Sequence, residues 1–198
     1  MSTVRTMTLA DAALPRAGVL RDVALILGAS LLTAAAARVA VPVPWSPVPL
    51  TGQTFAVLLT GALLGARRAV LAQVLYLVEG GMGLPFFAGG LGGPLVLAGP
   101  TGGFLVAFPL AAAVTGALAQ RGWDRRFLTM LSAMLLGSAV ILLSGTATLS
   151  RFVPADRLLA AGLLPFLPGD VIKAAAAAFA LPAAWRLVDG HGTRAGRS

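Results

Sequence analysis

Residues 127–149 read FLTMLSAMLLGSAVILLSGTATL, and this stretch contains no charged side chain. A helix needs about 20 mostly apolar residues to cross the hydrocarbon core of a bilayer, so a run of this length predicts a membrane-spanning helix. Its apolar residues form a continuous block, whereas a helix of a soluble bundle shows an apolar stripe on one side. The stretch therefore indicates that lipid surrounds this part of the chain.

The composition of the whole chain agrees with this interpretation. Its 198 residues are 58% hydrophobic and 11% charged, with a mean hydropathy of +0.89, whereas soluble domains carry roughly a quarter charged residues. Cysteine is absent, which excludes disulfides and thiolate-based sites. The basic residues behind the net charge of +8 lie between apolar blocks, so they indicate membrane topology and attraction to anionic lipid, and no nucleic-acid partner is expected.

Six apolar blocks predict six transmembrane helices. They are Val23–Val41, Thr51–Ala66, Ala69–Val78, Thr101–Ala119, Phe127–Leu149 and Gly169–Val188. Alternate prolines exclude a regular helix in residues 41–49, the Pro-rich segment, and residues 80–100, the Gly-rich segment, are a poor helix candidate. Pro165 and Pro168 argue against a seventh full span before the last block, although a partial helix there remains open.

The distribution of basic residues orients these spans. With six spans the two termini share one side, and that side collects eleven of the 15 Lys and Arg residues. The other four are Arg38, Arg151, Arg157 and Lys173. Because cytoplasmic loops are enriched in Lys and Arg, the sequence predicts an all-α membrane protein with both termini cytoplasmic. We expect one transmembrane domain over residues 1–198, with short cytoplasmic tails at about 1–18 and 189–198.

The Pro-rich and Gly-rich segments both fall on the outer side in this topology. Irregular backbone at membrane depth is tolerated only where it is buried in protein or lines a cavity, because lipid cannot satisfy its polar groups. The start of the last span lies on the same side. The sequence therefore predicts an outward-facing pocket covered by the two segments.

Asp170 and Lys173 are the best candidates for a ligand site in this pocket. Ionisable residues inside spans are rare and costly, and a spacing of three places both on one helix face. Pro168 and Gly169 indicate a helix start, which puts Asp170 in the first turn, where the helix dipole favours an anion. The pair either caps the helix with a local ion pair or presents one acceptor and one cation to a ligand, and the sequence leaves both open.

Weaker candidates lie near the outer ends of the other spans. They are Thr51 and Gln53 at the start of the second span, Tyr76 and Glu79 near the end of the third, and Trp45, Phe86 and Phe87 on the irregular segments. The polar residues are also compatible with capping or interfacial water, and the aromatic residues with an interfacial belt. Arg38, near the end of the first span, is interpreted as snorkelling to the interface.

Four segments carry a family resemblance, in the order in which the family has them. They are PLTGQTFAVLL (residues 49–59), YLVEGGMGLPFFAGG (76–90), GPTGG (99–103) and FLPGDVIK (166–173). Together they resemble the BioY family, the substrate-specific S components of energy-coupling factor (ECF) transporters for biotin. The resemblance implies a six-helix fold with an outward-facing vitamin site, a membrane T component and two cytoplasmic ATPase subunits as partners. The chain has no phosphate-binding P-loop of its own.

The resemblance also implies roles for the candidate residues. Asp170 accepts the ureido N–H groups of biotin, Lys173 pairs with its carboxylate, and Gln53 is a polar group over the pocket. Trp45, Tyr76 and Phe87 complete the expected substrate-binding set. Biotin is then a transported ligand and no cofactor or metal is expected. A different vitamin remains the alternative, and self-association into a homo-oligomer is left open.

Three other functional classes fit the residues less well. An intramembrane aspartyl protease needs a second membrane aspartate beside Asp170, and His191, the single histidine, lies in the predicted tail, where it cannot serve a Ser-His site. A channel calls for a polar stripe through the whole membrane, whereas the polar residues here cluster at the outer end. A structural scaffold leaves the costly Asp170 and Lys173 pair unexplained.

Overall fold

Most of the chain is helical in the computed structural model, which describes residues 7–14 and 18–195, with side chains up to residue 188. The helices are α1 (Leu9–Ala13), α2 (Val19–Ala36), α3 (Gln53–Leu64), α4 (Ala66–Gly81), α5 (Pro94–Ala98), α6 (Gly102–Val106), α7 (Phe108–Ala119), α8 (Phe127–Leu149), α9 (Leu158–Gly162) and α10 (Phe166–Ala195). Two strands, β1 (Ala40–Val43) and β2 (Ser46–Thr51), join α2 to α3. The predicted tails fall partly outside the described residues, at 1–6, 15–17 and 196–198, as does the side chain of His191.

Within the described residues, four helical segments are long and apolar enough to cross a membrane. They are Val19–Ala36, Gly102–Ala119, Phe127–Leu149 and Leu158–Val188. The helix α3 is apolar but has 12 residues, and α4 has 16. At about 1.5 Å per residue, both are shorter than the hydrocarbon core of about 30 Å. The structure therefore agrees with a multi-pass membrane protein, and the count of six spans stays a prediction.

At least three predicted helix boundaries were wrong, since α2 begins at Val19 and not at Val23. The first span was placed at Val23–Val41, but α2 ends at Ala36 because the chain turns there into β1. The last span was expected to begin at Gly169, whereas α10 begins at Phe166. Pro168 lies in the first turn of that helix, where a missing backbone N–H removes no intrahelical hydrogen bond. The partial helix that was left open before it is α9, and residues 163–165 separate it from α10.

The Pro-rich segment forms an antiparallel hairpin, which the sequence did not predict. The strands pair Ala40 with Thr51 and Val41 with Leu50, and the register is irregular before the pair Val43–Ser46. No helix forms there, as predicted. The Ser46 hydroxyl donates a hydrogen bond to the carbonyl of Ala161 at 2.7 Å, which fastens the hairpin to α9 at this end of the bundle.

The core is built around α7, which packs between α3, α4 and α8. Small residues allow the close approach: a Cβ at Gly61 would lie 2.8 Å from the carbonyl oxygen of Ala112, and one at Gly116 would lie 2.5 Å from the backbone nitrogen of Ala66. Gly65, with φ +78°, makes the tight turn between α3 and α4. These contacts fix the two short helices against the long ones.

A charged network joins α1, α2 and α4 at the end of the bundle opposite the hairpin. Asp11 accepts from Arg21 and Arg68, each at 2.8 Å, and Asp22 lies 3.3 and 3.1 Å from the same two guanidinium groups. Burial alone would raise the pKa of Asp11, but hydrogen bonds from Thr8 and Arg68 and the charges of Arg68 and Arg21 hold that pKa below its usual value. The network neutralises two of the arginines on this side.

Candidate functional site

A cavity of about 750 Å³, including its open mouth, lies between the hairpin, the Gly-rich segment and helices α3, α6, α7, α8 and α10. Most of the wall is apolar, and its larger side chains are Phe87, Phe104, Phe108, Ile141, Leu142 and Phe166. The polar wall residues are Thr51, Gln53, Thr54, Thr101 and Lys173. Such a wall suits a mostly apolar ligand with a few polar groups.

Lys173 reaches the cavity wall from α10. Its Nζ donates hydrogen bonds of 2.9 Å to the carbonyl of Thr51 and 2.9 Å to the hydroxyl of Thr54. It also lies 3.6 Å from Oδ1 of Asp170, one turn earlier on the same helix, as the spacing predicted. An ammonium group has three donors, and only two of them make short hydrogen bonds here. Among the described residues, the third donor has no hydrogen-bond partner, and its nearest charged neighbour is Asp170.

Asp170 is 6% exposed and does not form part of the cavity wall. Its Oδ2 accepts a short hydrogen bond from Ser138 on α8, and its Oδ1 faces Lys173. The prediction that Asp170 lies in the first turn of its helix was wrong, since that turn has no acidic residue. Asp170 therefore does not cap the helix, and its partners are the side chains that surround the cavity.

Gln53 and Tyr76 form a second polar group, deeper under the Gly-rich segment. The Gln53 Oε1 accepts from the Thr51 hydroxyl at 3.0 Å, and its Nε2 donates to Tyr76 Oη at 2.5 Å. The Tyr76 hydroxyl donates in turn to the carbonyl of Phe86 at 3.0 Å. Gln53 lies on the cavity wall and Tyr76 does not. Tyr76 therefore positions Gln53 and the Gly-rich segment from behind.

Of the three aromatic candidates on the irregular segments, Trp45, Phe86 and Phe87, the structure brings one to the cavity wall. Phe87 is 1% exposed, lines the cavity and packs edge-on against Tyr76 at a centroid distance of 5.6 Å. Trp45 is 67% exposed at the turn of the hairpin and lies outside the wall. The two-residue turn at Pro44–Trp45 directs its side chain away from the bundle. A binding role for Trp45 stays a prediction.

Glu79 and Arg38 have other partners. Ser30 on α2 donates a hydrogen bond to the carboxylate of Glu79, so this carboxylate joins α2 to α4. Arg38 Nη2 donates to the carbonyl of Pro85 at 2.7 Å, which places the guanidinium against the Gly-rich segment. Neither residue is part of the cavity wall.

Sequence reasoning missed several residues of the site. Ser138 and Thr54 contact the charged pair, but both are ordinary small polar residues within apolar runs and carry no local signal. Phe104 and Phe108 are four apart on adjoining helices, a spacing that equally fits a packed core. Within the described residues, no three His, Asp or Glu side chains come together to hold a metal ion.

Comparison with known proteins places the chain among relatives of similar length. A family model described as the BioY family matches residues 5–190. A "Probable biotin transporter BioY" from Pyrococcus horikoshii is 40% identical over 157 residues, which are 79% of this chain and 91% of the relative. The "Biotin transporter BioY" of Rhizobium etli is 36% identical over 67% of this chain and 75% of the relative. That of Thermotoga maritima is 37% identical over 70% and 81%.

A solved structure shares the fold. The crystal structure of the S-component for biotin from an ECF-type ABC transporter superposes with a TM-score of 0.73, over 84% of this chain and 92% of that chain. The sequence identity of this match is 22%. The helices and the hairpin therefore form the fold of that S-component.

Proposed function

The chain belongs to the BioY family, and we propose that it is the high-affinity biotin-binding S component of an ECF-type, ATP-driven biotin uptake transporter. The observation that carries the proposal is the Lys173 and Asp170 pair, held 3.6 Å apart beside a cavity that is otherwise mainly apolar. Relatives named as biotin transporters support the ligand. None of their names describes an enzyme.

The chemistry of biotin fits this wall. Its ureido ring has two N–H donors and a carbonyl acceptor, its thiophane ring is apolar, and its tail ends in a carboxylate. Phe87 and the other aromatic wall residues suit the thiophane ring. Gln53 and Lys173 supply polar groups on the wall, Asp170 lies beside Lys173, and hydrogen bonds to charged groups contribute roughly 1.5–3 kcal/mol each. The site that we propose therefore comprises these residues, with Tyr76 as support behind Gln53 and Trp45 as an outer residue of the hairpin.

We also propose six spans in a bacterial plasma membrane, with both termini cytoplasmic. Four long apolar segments and the two shorter helices α3 and α4 support that count. Arg67, Arg68, Arg121, Arg125 and Arg126 all lie in the α3–α4 and α7–α8 connections or directly after them, as the positive-inside rule requires of cytoplasmic loops. The cavity, the hairpin and the Gly-rich segment then face outward, where biotin arrives.

The proposal assigns energy coupling to partners. A membrane T component and cytoplasmic ATPase subunits would supply ATP hydrolysis, because this chain has no P-loop. Under this proposal the chain needs no resident cofactor, no metal and no nucleic acid. Its partners are the lipid bilayer and these subunits. An S component for a different vitamin is the alternative, because a mostly apolar cavity with a polar end also fits other small vitamins.

Uptake into cells tests this proposal. Biotin-auxotrophic bacteria without their own transporter would express the chain with T and ATPase subunits and receive radiolabelled biotin. We expect uptake that unlabelled biotin suppresses and that riboflavin and thiamine do not, and a Lys173→Ala chain at the same membrane level should support much less. Suppression by riboflavin or thiamine would favour the alternative, and absence of biotin uptake would contradict the proposal.

A further inference from the structure

The charge of the cavity does not match the charge of the ligand. Among the described wall residues, Lys173 is the one ionisable side chain, and its positive charge is already matched by Asp170 at 3.6 Å. The polar part of the wall around Lys173 is therefore neutral overall. A ligand that carries one carboxylate brings a negative charge that this part of the wall does not compensate, and an uncompensated charge in an apolar cavity is unfavourable.

Arg38 is exposed and lies beside the Gly-rich segment, of which Phe87, Ala88 and Leu91 line the same cavity. It follows α2, and its side chain crosses to the Gly-rich segment, where Nη2 donates to the carbonyl of Pro85 at 2.7 Å. Its Nη1 lies 2.9 Å from the position that a Cβ of Gly90 would occupy. Gly90 stands between Ala88 and Leu91, which both line the cavity. The absence of a side chain at Gly90 therefore leaves room for the guanidinium beside this part of the Gly-rich segment.

The guanidinium of Arg38 has N–H donors that can bind an anion. It carries five N–H donors, and one of them holds the Pro85 carbonyl. Within the part of the chain that the structure describes, no carboxylate lies within ion-pair distance of it. Glu79, on the same side of the bundle, is hydrogen-bonded to Ser30 instead.

We infer that Arg38 binds the carboxylate of the ligand at the outer rim, while Lys173 and Asp170 recognise the neutral ring end inside the cavity. The inference rests on the proposed function and assigns the orientation of biotin, with its tail toward the rim. It revises the expectation that Lys173 pairs with the carboxylate, because Asp170 already neutralises that ammonium group. It also replaces the interpretation of Arg38 as a snorkelling residue.

Two other arginines of the proposed outer side provide matched controls. Arg151 and Arg157 lie in the connection between α8 and α9 and are exposed. Within the described residues, neither makes a side-chain hydrogen bond or ion pair with the Gly-rich segment. Replacing Arg151 changes the net charge of the protein by the same amount as replacing Arg38, so an effect of net charge alone should appear in both variants.

The experiment compares biotin with biotinol, in which a neutral alcohol replaces the carboxylate. Purified wild-type protein and the Arg38→Ala, Arg151→Ala and Lys173→Ala variants are each titrated with both ligands. We expect the wild type to bind biotin at least roughly fivefold more tightly than biotinol. The free energy of a charge-assisted ion pair in a partly exposed position lies between that of an exposed pair and that of a buried pair. Arg38→Ala should lose this preference and keep its affinity for biotinol, whereas Arg151→Ala should keep both. Lys173→Ala should weaken both ligands by a similar factor.

Several results would overturn the assignment. If Arg38→Ala keeps the preference for biotin, or weakens biotin and biotinol equally, Arg38 does not bind the carboxylate. If Lys173→Ala, and not Arg38→Ala, loses the preference for biotin over biotinol, the carboxylate binds to Lys173. If the folded wild type binds neither ligand, the proposed function fails together with this inference, whereas the other results leave the proposed function intact.

Discussion

At the scale of single residues, the cost of burying charge decides which side chains can serve the cavity. Asp170 is 6% exposed and the Lys173 side chain 28%, and Ser138 completes the hydrogen bonding of the carboxylate. Removing one partner of a buried pair leaves the other uncompensated, at about 3–5 kcal/mol for a fully buried pair and less for this partly exposed one. The pair is therefore costly to break, and in the proposed function it serves the ligand.

Lys173→Ala and Asp170→Asn should each weaken biotin binding by at least roughly tenfold, because each removes a charged hydrogen-bonding group from the polar end of the cavity. Both proteins should still insert into the membrane. The double variant Asp170→Asn/Lys173→Met leaves no unpaired charge. Its thermal unfolding temperature should therefore be closer to the wild-type value than the unfolding temperature of Asp170→Asn is, while its biotin affinity stays low. Calorimetric titration and thermal unfolding measure these effects. Wild-type affinity in both single variants would remove the proposed site.

Ser138→Ala should weaken biotin binding by roughly fivefold to tenfold, because the buried carboxylate of Asp170 loses its hydrogen-bond donor and no longer keeps a fixed position beside Lys173. Ser132 provides the control on the same helix, since it is exposed and donates to the carbonyl of Leu128 at 2.9 Å. Ser132→Ala should bind biotin like the wild type, and Ser138→Thr, which keeps the hydroxyl, should recover part of the affinity. Equal affinities in Ser138→Ala and Ser132→Ala would show that Ser138 does not position Asp170.

The sequence was sufficient to find Asp170 and Lys173 and insufficient to find their surroundings. Ionisable residues stand out in an apolar run, and a spacing of three fixes them on one helix face. Ser138 is 32 residues away from Asp170 and looks like any small residue of a membrane helix. Which serine meets which aspartate depends on how α8 packs against α10, and no local pattern encodes that contact.

At the scale of secondary-structure elements, the hairpin and the Gly-rich segment form the outer part of the site. The prolines of residues 41–49 correctly excluded a helix, but prolines also disfavour strands, since each removes a hydrogen-bond donor. The hairpin tolerates them because it has only two strands, so each strand has a free edge. The sequence therefore predicted where the irregular segments lie and not the conformation that they adopt.

Gly80→Ala tests how α4 supports the Gly-rich segment. A Cβ at Gly80 would collide with the ring of Phe87, which is 1% exposed and lines the cavity, so the ring would have to move into the binding space. We expect biotin affinity to fall by at least roughly fivefold, within the typical range of about 1–3 kcal/mol for overpacking. The control is Gly28→Ala, because a Cβ at Gly28 meets nothing within 4 Å. Unchanged affinity in Gly80→Ala would show that Phe87 does not shape the cavity.

At the scale of the whole molecule, the distribution of basic residues predicts the orientation of the protein in the membrane, and the cavity supports a ligand-binding function. The positive-inside rule predicts a topology from the arginines alone; the four long apolar segments support a multi-pass membrane protein, and the orientation stays a prediction. The close packing of α7 against α3 and α4 depends on glycines such as Gly61 and Gly116. Those contacts join residues far apart in the chain, so composition and periodicity did not reveal them.

The proposed topology predicts which positions react with reagents outside the cell. The chain has no cysteine, so a single introduced cysteine reports on one position. Ala155→Cys, in the exposed connection between α8 and α9, should react with a membrane-impermeant maleimide in intact cells. Arg121→Cys, in the connection between α7 and α8, should react only after the membrane is opened. The reverse pattern would invert the topology and place the cavity on the cytoplasmic side.

The central claim is that this chain alone captures biotin. Calorimetric titration of the detergent-purified protein with biotin, with riboflavin and thiamine as controls and no ATP present, tests it most directly. We predict tight binding of biotin at about one ligand per chain, because the cavity is formed within one protein chain, and no heat from the other two vitamins. Absence of binding heat with biotin at two temperatures, from protein shown to be folded, would contradict the account.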